Sequence, residues 1–151
     1  MKIYLDVSCL NRPFDDQNQT RIRLESAAIT TILENFDLKH WDSVASEMVE
    51  IEVNAIPNPF RRAQVKLLLP KTEQLAKLTE AMFERARQLE GMGFKPADAV
   101  HISAAEQTGA DVFLSCDDRL LRTAHRNNKK IKVAVANPLR WLEEIENDQN
   151  S

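Results

Sequence analysis

The segment that most constrains this chain lies at its start, Lys2-Ile3-Tyr4-Leu5-Asp6. Ile3 to Leu5 is a short apolar run of β-formers, which reads as a buried strand ending on an acid. In an open α/β sheet, ligands bind outside the carboxyl ends of the strands. A carboxylate buried at that edge is costly unless something compensates it, and a divalent cation is the usual compensator. The question posed by the first six residues is therefore whether other acids converge on Asp6.

Beyond the first strand, Asn11 to Gln19 reads as a polar loop broken at Pro13. Thr20 is an N-cap candidate for a helix to about Asn35, with Ile22, Ala28, Ile29, Ile32 and Leu33 on its apolar side. Arg21, Arg23 and Glu25 read as its solvated face. His40–Ala45 is a weak strand. Ser46 suits the N-cap of a helix carrying Glu47, Glu50 and Glu52. Pro57-Asn58-Pro59 ends that helix, and another is expected over 60–68. Leu75, Leu78, Met82, Ala86 and Leu89 form an amphipathic stripe that stops at Gly91.

Pro96 suits the first position of the next helix, and Asp98 falls in its first turn, where the dipole favours an anion. Gly109 is the expected stop. The clearest later strand is Asp111–Ser115, which again runs into acids, Asp117 and Asp118. A short helix over 119–127, a strand over 131–136 and a helix capped by Asn137-Pro138 complete the series. Glu146 to Ser151 reads as a polar, irregular tail. Short apolar strands alternating with helices predict a single α/β domain over residues 1–151, a mostly parallel sheet flanked by helices on both faces.

Composition narrows the function. With a net charge of −3 and 28% charged residues, the chain has no overall basic footprint of the kind that coats nucleic acid. One local nucleic-acid site stays compatible, because bound cations offset acids there. Two cysteines, Cys9 and Cys116, make no disulfide framework and suit a reducing compartment. Each lies near the end of an acid-bearing strand, so the two thiols are expected close together. No membrane span or signal peptide is legible, and a cytoplasmic location is expected.

Parallel strands carry Asp6 and Asp117 to one edge of the sheet. Asp98 opens the helix leading into the second of these strands, and the Glu50/Glu52 helix offers a fourth acid. Such acids repel one another unless cations lie between them. Oxygen-only ligands select hard metals, Mg²⁺ or Mn²⁺, and a pair of such ions suits phosphodiester hydrolysis.

Three stretches then resemble the acidic signatures of the PIN domain family: Leu5-Asp6-Val7-Ser8-Cys9-Leu10-Asn11-Arg12-Pro13-Phe14, Pro96-Ala97-Asp98-Ala99-Val100-His101 and Leu114-Ser115-Cys116-Asp117-Asp118-Arg119. The resemblance covers the whole chain. It implies a three-layer PIN fold and a metal-dependent ribonuclease, as in the toxin half of VapBC-type toxin–antitoxin pairs. Asp6, Asp98 and Asp117 match the family's metal-holding acids. Glu52 matches the remaining acid, with Glu50 and Asp118 in reserve. Ser8 and Ser115 match its small polar positions. As a further expectation, Arg12 and Arg119 contact the RNA backbone, since arginine offers a phosphate fork. The resemblance also implies an RNA substrate, an antitoxin partner and a homodimer. Val7 departs from the threonine or serine commoner at its position.

Two rival readings carry less. An aspartyl phosphotransferase needs a second aspartate two residues after the first, where this chain has Ser8. A non-catalytic PIN-fold RNA-binding or scaffold module would have lost acids that are all present here. His101, one helical turn from Asp98, reads as a satisfied core group or a neighbour of the acids rather than a catalytic base.

Overall fold

The protein is described by a computed structural model covering residues 1–150, with the side chain of Asn150 left aside. The first strand, β1 (Lys2–Leu5), is followed at once by a short helix, α1 (Val7–Asn11), and a 3-10 turn over Arg12–Phe14. The region read as a loop, 11–19, thus opens with helical turns through Phe14 and is irregular only over 15–19. Then come α2 (Thr20–Asp37), β2 (Asp42–Val44), α3 (Glu47–Asn54) and α4 (Pro59–Lys66). The second half supplies α5 (Glu80–Gly91), α6 (Pro96–Gln107), β3 (Val112–Leu114), α7 (Asp118–Arg126), β4 (Ala134–Ala136) and α8 (Pro138–Asn150).

The four strands form one parallel sheet in the order β2-β1-β3-β4. After β2 is laid on one side of β1, the chain crosses to place β3 on the other, so the order reverses between β1 and β3. That reversal opens a crevice at the carboxyl ends of these two strands, where α/β sheets bind ligands. The register pairs Leu5 with Leu114, and the Asp6 amide extends the ladder by donating to the Leu114 carbonyl at 2.9 Å. Asp6 and Ser115 therefore leave the sheet side by side.

Ile3, Tyr4, Phe113 and Leu114 are fully buried. Strands buried on both faces read as unbroken apolar runs, as these do. Helix α2 packs with α8, and α5 with α6. Ala99, Ala104 and Ala105 of α6 are fully buried; their small side chains let that helix lie close to its neighbours.

Several boundaries differ from those expected, each for a local reason. Thr20 is the first residue of α2 rather than its cap, which is Gln19. Leu75 and Leu78 lie outside α5. Backbone pairing takes that segment instead: Ala76 donates to the Ala45 carbonyl and accepts from the Glu47 amide, both at 2.9 Å. The helix starts only where the Thr79 hydroxyl caps the Met82 amide. The last strand is shortened because Lys130 and Ile131 turn back onto the Asn127 carbonyl. Helix α8 continues to Asn150 through the polar tail; Ser151 lies outside the described residues. Among the described residues no helix is long and apolar enough to cross a membrane.

Candidate active site

Asp6 is the anchor of the crevice. Its backbone carbonyl accepts from the Cys9 amide, starting α1 and holding the acid at the strand end. Its side chain is buried, and one oxygen, Oδ2, accepts from both Ser8 Oγ and Ser115 Oγ at 2.8 Å. Burial pushes this carboxyl above the usual aspartate range, while His101 and the two hydroxyls pull the other way. Ser8 Oγ also accepts from the Cys116 amide, and Ser115 Oγ from the Asp117 amide. These two serines therefore tie the loops after β1 and β3 into one unit around Asp6.

Asp117 is half-buried and caps α7, one oxygen accepting from the Arg119 and Leu120 amides. Asp98 occupies the third position of α6. Its carboxyl is pushed up to about 6 by burial, then by the charges of Asp6 and Asp117, with Glu52 adding and His101 opposing. The three aspartates and Glu52 thus lie in one another's field.

Glu52 and Glu50 are separated by their surroundings. Glu52 is bonded through Oε1 to His101 Nε2. Glu50 faces Thr72 at 3.4 Å instead, and exerts none of the resolved influence on the aspartates.

His101 is fully buried on α6, one turn from Asp98. Its Nδ1 lies 2.8 Å from the Tyr4 hydroxyl, which lies 2.7 Å from Ser46 Oγ. Ser46 in turn caps α3 by accepting from the Met48 amide. With Glu52 ionised, Nε2 carries the hydrogen and donates to it, leaving Nδ1 to accept from Tyr4. This Ser46–Tyr4–His101–Glu52 chain ties β1, α3 and α6 together behind the acids. Sequence reasoning missed Tyr4 and Ser46 as its members; the helical spacing of Asp98 and His101 was the one available signal.

The remaining candidates divide. Arg119 is exposed beside Asp117. Arg12 is turned inward, its guanidinium engaged by Glu25 at 2.9 Å and Asp15 at 3.3 Å, so it is not free to grip a phosphate. Asp118 is clamped by two Arg21 nitrogens at 2.8 and 2.7 Å. Glu25 is not on a solvated face as expected. It is buried and holds Arg12, Arg21 and Asn137, which compensates its charge. Cys9 and Cys116 meet as expected, their sulfurs 3.9 Å apart in the core.

Among the described residues, no three acid, histidine or cysteine side chains are gathered closely enough to enclose an ion as they stand. One oxygen each of Asp6, Asp117 and Glu52 is bonded to a protein donor or ring nitrogen. A second oxygen of each is left for a ligand, and the donor set is all oxygen, which suits a hard divalent cation.

The sequence matches the family model described as "PIN domain" over residues 3–126. This chain belongs to the PIN domain family. PIN domains are generally nucleases and typically use divalent metals, which supports a nuclease role in general. Among solved structures the chain is similar to FitAcB from Neisseria gonorrhoeae, with 19% identity, a TM-score of 0.58, and coverage of 90% of this chain and 97% of that one. At that identity the likeness speaks for the PIN fold. No curated protein matches the sequence.

The acid cluster makes a prediction about stability. Asp98 titrates near 6 in the fold against an ordinary 3.8. Below about pH 4 both states are protonated; between about 4 and 6 only the folded state keeps the proton; above 6 that advantage is gone. Metal-free protein should therefore lose stability as pH rises through this window. Asp98→Asn should stabilise the metal-free protein at pH 7 by about 1–2 kcal/mol, discounted for solvent screening. Thermal melts in chelator at pH 5 and 7 check this, and a lower midpoint for the variant at pH 7 would contradict it.

Proposed function

We propose that the chain is a divalent-cation-dependent endoribonuclease, acting through Asp6, Asp98, Asp117 and Glu52, and that it is the toxin of a toxin–antitoxin pair. The observation that carries the reading is geometric: Asp6 and the turn from Ser115 to Asp117 leave β1 and β3 side by side, tied by hydrogen bonds, with Asp98 near enough to feel both acids. Acids held in such conflict at a strand-end crevice suit Mg²⁺ or Mn²⁺. Asp6, Asp98 and Asp117 would hold the cation, with Glu52 completing the set. When bound, it supplies Lewis-acid activation of water and charge neutralisation at the scissile phosphate.

The chain's own residues do the rest. Ser8 and Ser115 fix one oxygen of Asp6, so its other oxygen has a defined direction. Asp117 is oriented by the first amides of α7. His101, backed by Tyr4, holds the Glu52 carboxyl in place. Arg119, exposed at the start of α7, is available to a substrate phosphate. The toxin role, an antitoxin partner and a homodimer are what the resemblance of the three acidic stretches to PIN-domain toxins implies.

The direct test is incubation of purified protein with end-labelled single-stranded RNA. Cleavage in Mg²⁺ or Mn²⁺, and none in excess chelator, is the expected result. Intact RNA under every condition refutes the enzyme reading and leaves a non-catalytic PIN module. Induced expression should also arrest growth; normal growth with active enzyme present refutes the toxin role alone.

A further inference from the structure

We infer that the exposed flank of α7, formed by Arg119, Arg122 and Arg126 and continued by Lys95, is the track along which a single-stranded RNA backbone leaves the acid crevice. The inference rests on the ribonuclease reading above and names the surface that carries its substrate.

The three arginines are spaced three and four residues apart, so they share one side of the helix. All are exposed, while Leu120, Thr123 and Ala124 face the core. The helix begins at Asp117, whose carboxylate caps it, so the ridge starts at the crevice and runs away from it. Its direction is set by Arg126, whose guanidinium lies 3.9 Å from where a Cβ on Gly93 would sit. Two residues on, exposed Lys95 precedes α6 and Asp98. The basic band therefore follows α7 from Asp117 to the turn between α5 and α6, where Lys95 extends it.

Among the described residues, these arginines combine one shared helix side with the absence of a carboxylate within 4 Å; Arg23, Arg62, Arg87 and Arg140 also form no such pair, but each stands on a different helix. Arg12, Arg21, Arg61 and Arg85 each lie within 4 Å of a carboxylate. Among the described residues, Arg119, Arg122 and Arg126 form no such pair; Arg126 reaches only the Thr123 hydroxyl, at 3.4 Å. Arg122 lies in the field of Asp118, but that carboxylate is already taken by two bonds from Arg21. In a chain of net charge −3, a basic ridge with no direct ion pair beside the crevice suits a polyanion, and a sequence-independent grip on phosphates follows.

The test uses a fluorescein-labelled oligouridylate and oligoadenylate of about 12 nucleotides, bound to the full chain carrying Asp6→Asn so that the strand stays intact. Anisotropy is followed from ~50 to ~200 mM salt. Adding Arg119→Gln, Arg122→Gln and Arg126→Gln should lower the log–log salt slope by about 2, at about 0.7 for each lost phosphate contact. The loss should be equal for both sequences. Adding Arg23→Gln, Arg87→Gln and Arg140→Gln, the same charge change on other exposed surfaces, should leave the slope as it was. An unchanged slope in the ridge variant, an equal fall in the control, or tighter binding of a labelled oligoglutamate than of oligouridylate overturns the track. A parent protein that binds neither oligonucleotide overturns the ribonuclease reading along with it.

Discussion

Asp6→Asn is expected to cut cation-dependent cleavage of single-stranded RNA by about two to three orders of magnitude while leaving the fold intact. The amide keeps the shape of the carboxylate, and its oxygen can still accept from Ser8 and Ser115, each 2.8 Å from the native side chain. What is lost is the charge. A cation ligand contributes several kcal/mol to transition-state stabilisation, so the rate should fall on the order of 10²–10³-fold. Stability should hold or rise, because burial in this setting disfavours the ionised carboxyl. Cleavage rates and thermal midpoints of the two proteins, compared side by side, separate this account from one in which Asp6 serves only the fold. Wild-type rates in the variant would remove Asp6 from the site.

His101→Ala is expected to have the largest effect on stability. The imidazole is fully buried and bonded through both nitrogens, to Tyr4 and to Glu52. Truncation opens a cavity among Tyr4, Phe113 and α6, and the Tyr4 hydroxyl loses one of its two partners. A cavity plus an under-satisfied buried polar group costs about 3–5 kcal/mol, or a fall of roughly 10 °C in midpoint for a chain this long. Tyr4→Phe should cost less, since the aromatic core is kept. The two losses should not add, because both remove the same bond. Strict additivity, or a loss for His101→Ala below about 1 kcal/mol, would show that the buried chain does not hold β1, α3 and α6 together.

Much of this was legible in the sequence because it depends on local pattern. The strand ending at Asp6, the Ser46 cap, Pro96 opening a helix with Asp98 in its first turn, and the Asn137 cap all rest on short-range chemistry. The relation of Asp6 to Asp117 followed from parallel topology alone. Hidden from the sequence were contacts made across large separations. Glu25 reads as surface on its own helix because nothing local reveals that Arg12, Arg21 and Asn137 will surround it. Arg12 looks available to RNA for the same reason. Tyr4 reads as one more β-former until His101, 97 residues on, closes on its hydroxyl. Leu75 and Leu78 fit a helical stripe, yet the edge at Ala45 offered unpaired backbone groups that took the segment instead. Periodicity cannot weigh that competition.

The central claim is that Asp6, Asp98, Asp117 and Glu52 form one cation site. Calorimetric titration of Mn²⁺ into chelator-treated protein near neutral pH tests it most directly. Saturable binding to the wild type, lost in Asp98→Asn, is the predicted result. An absence of binding heat in the wild type, or equal binding by the variant, would contradict it.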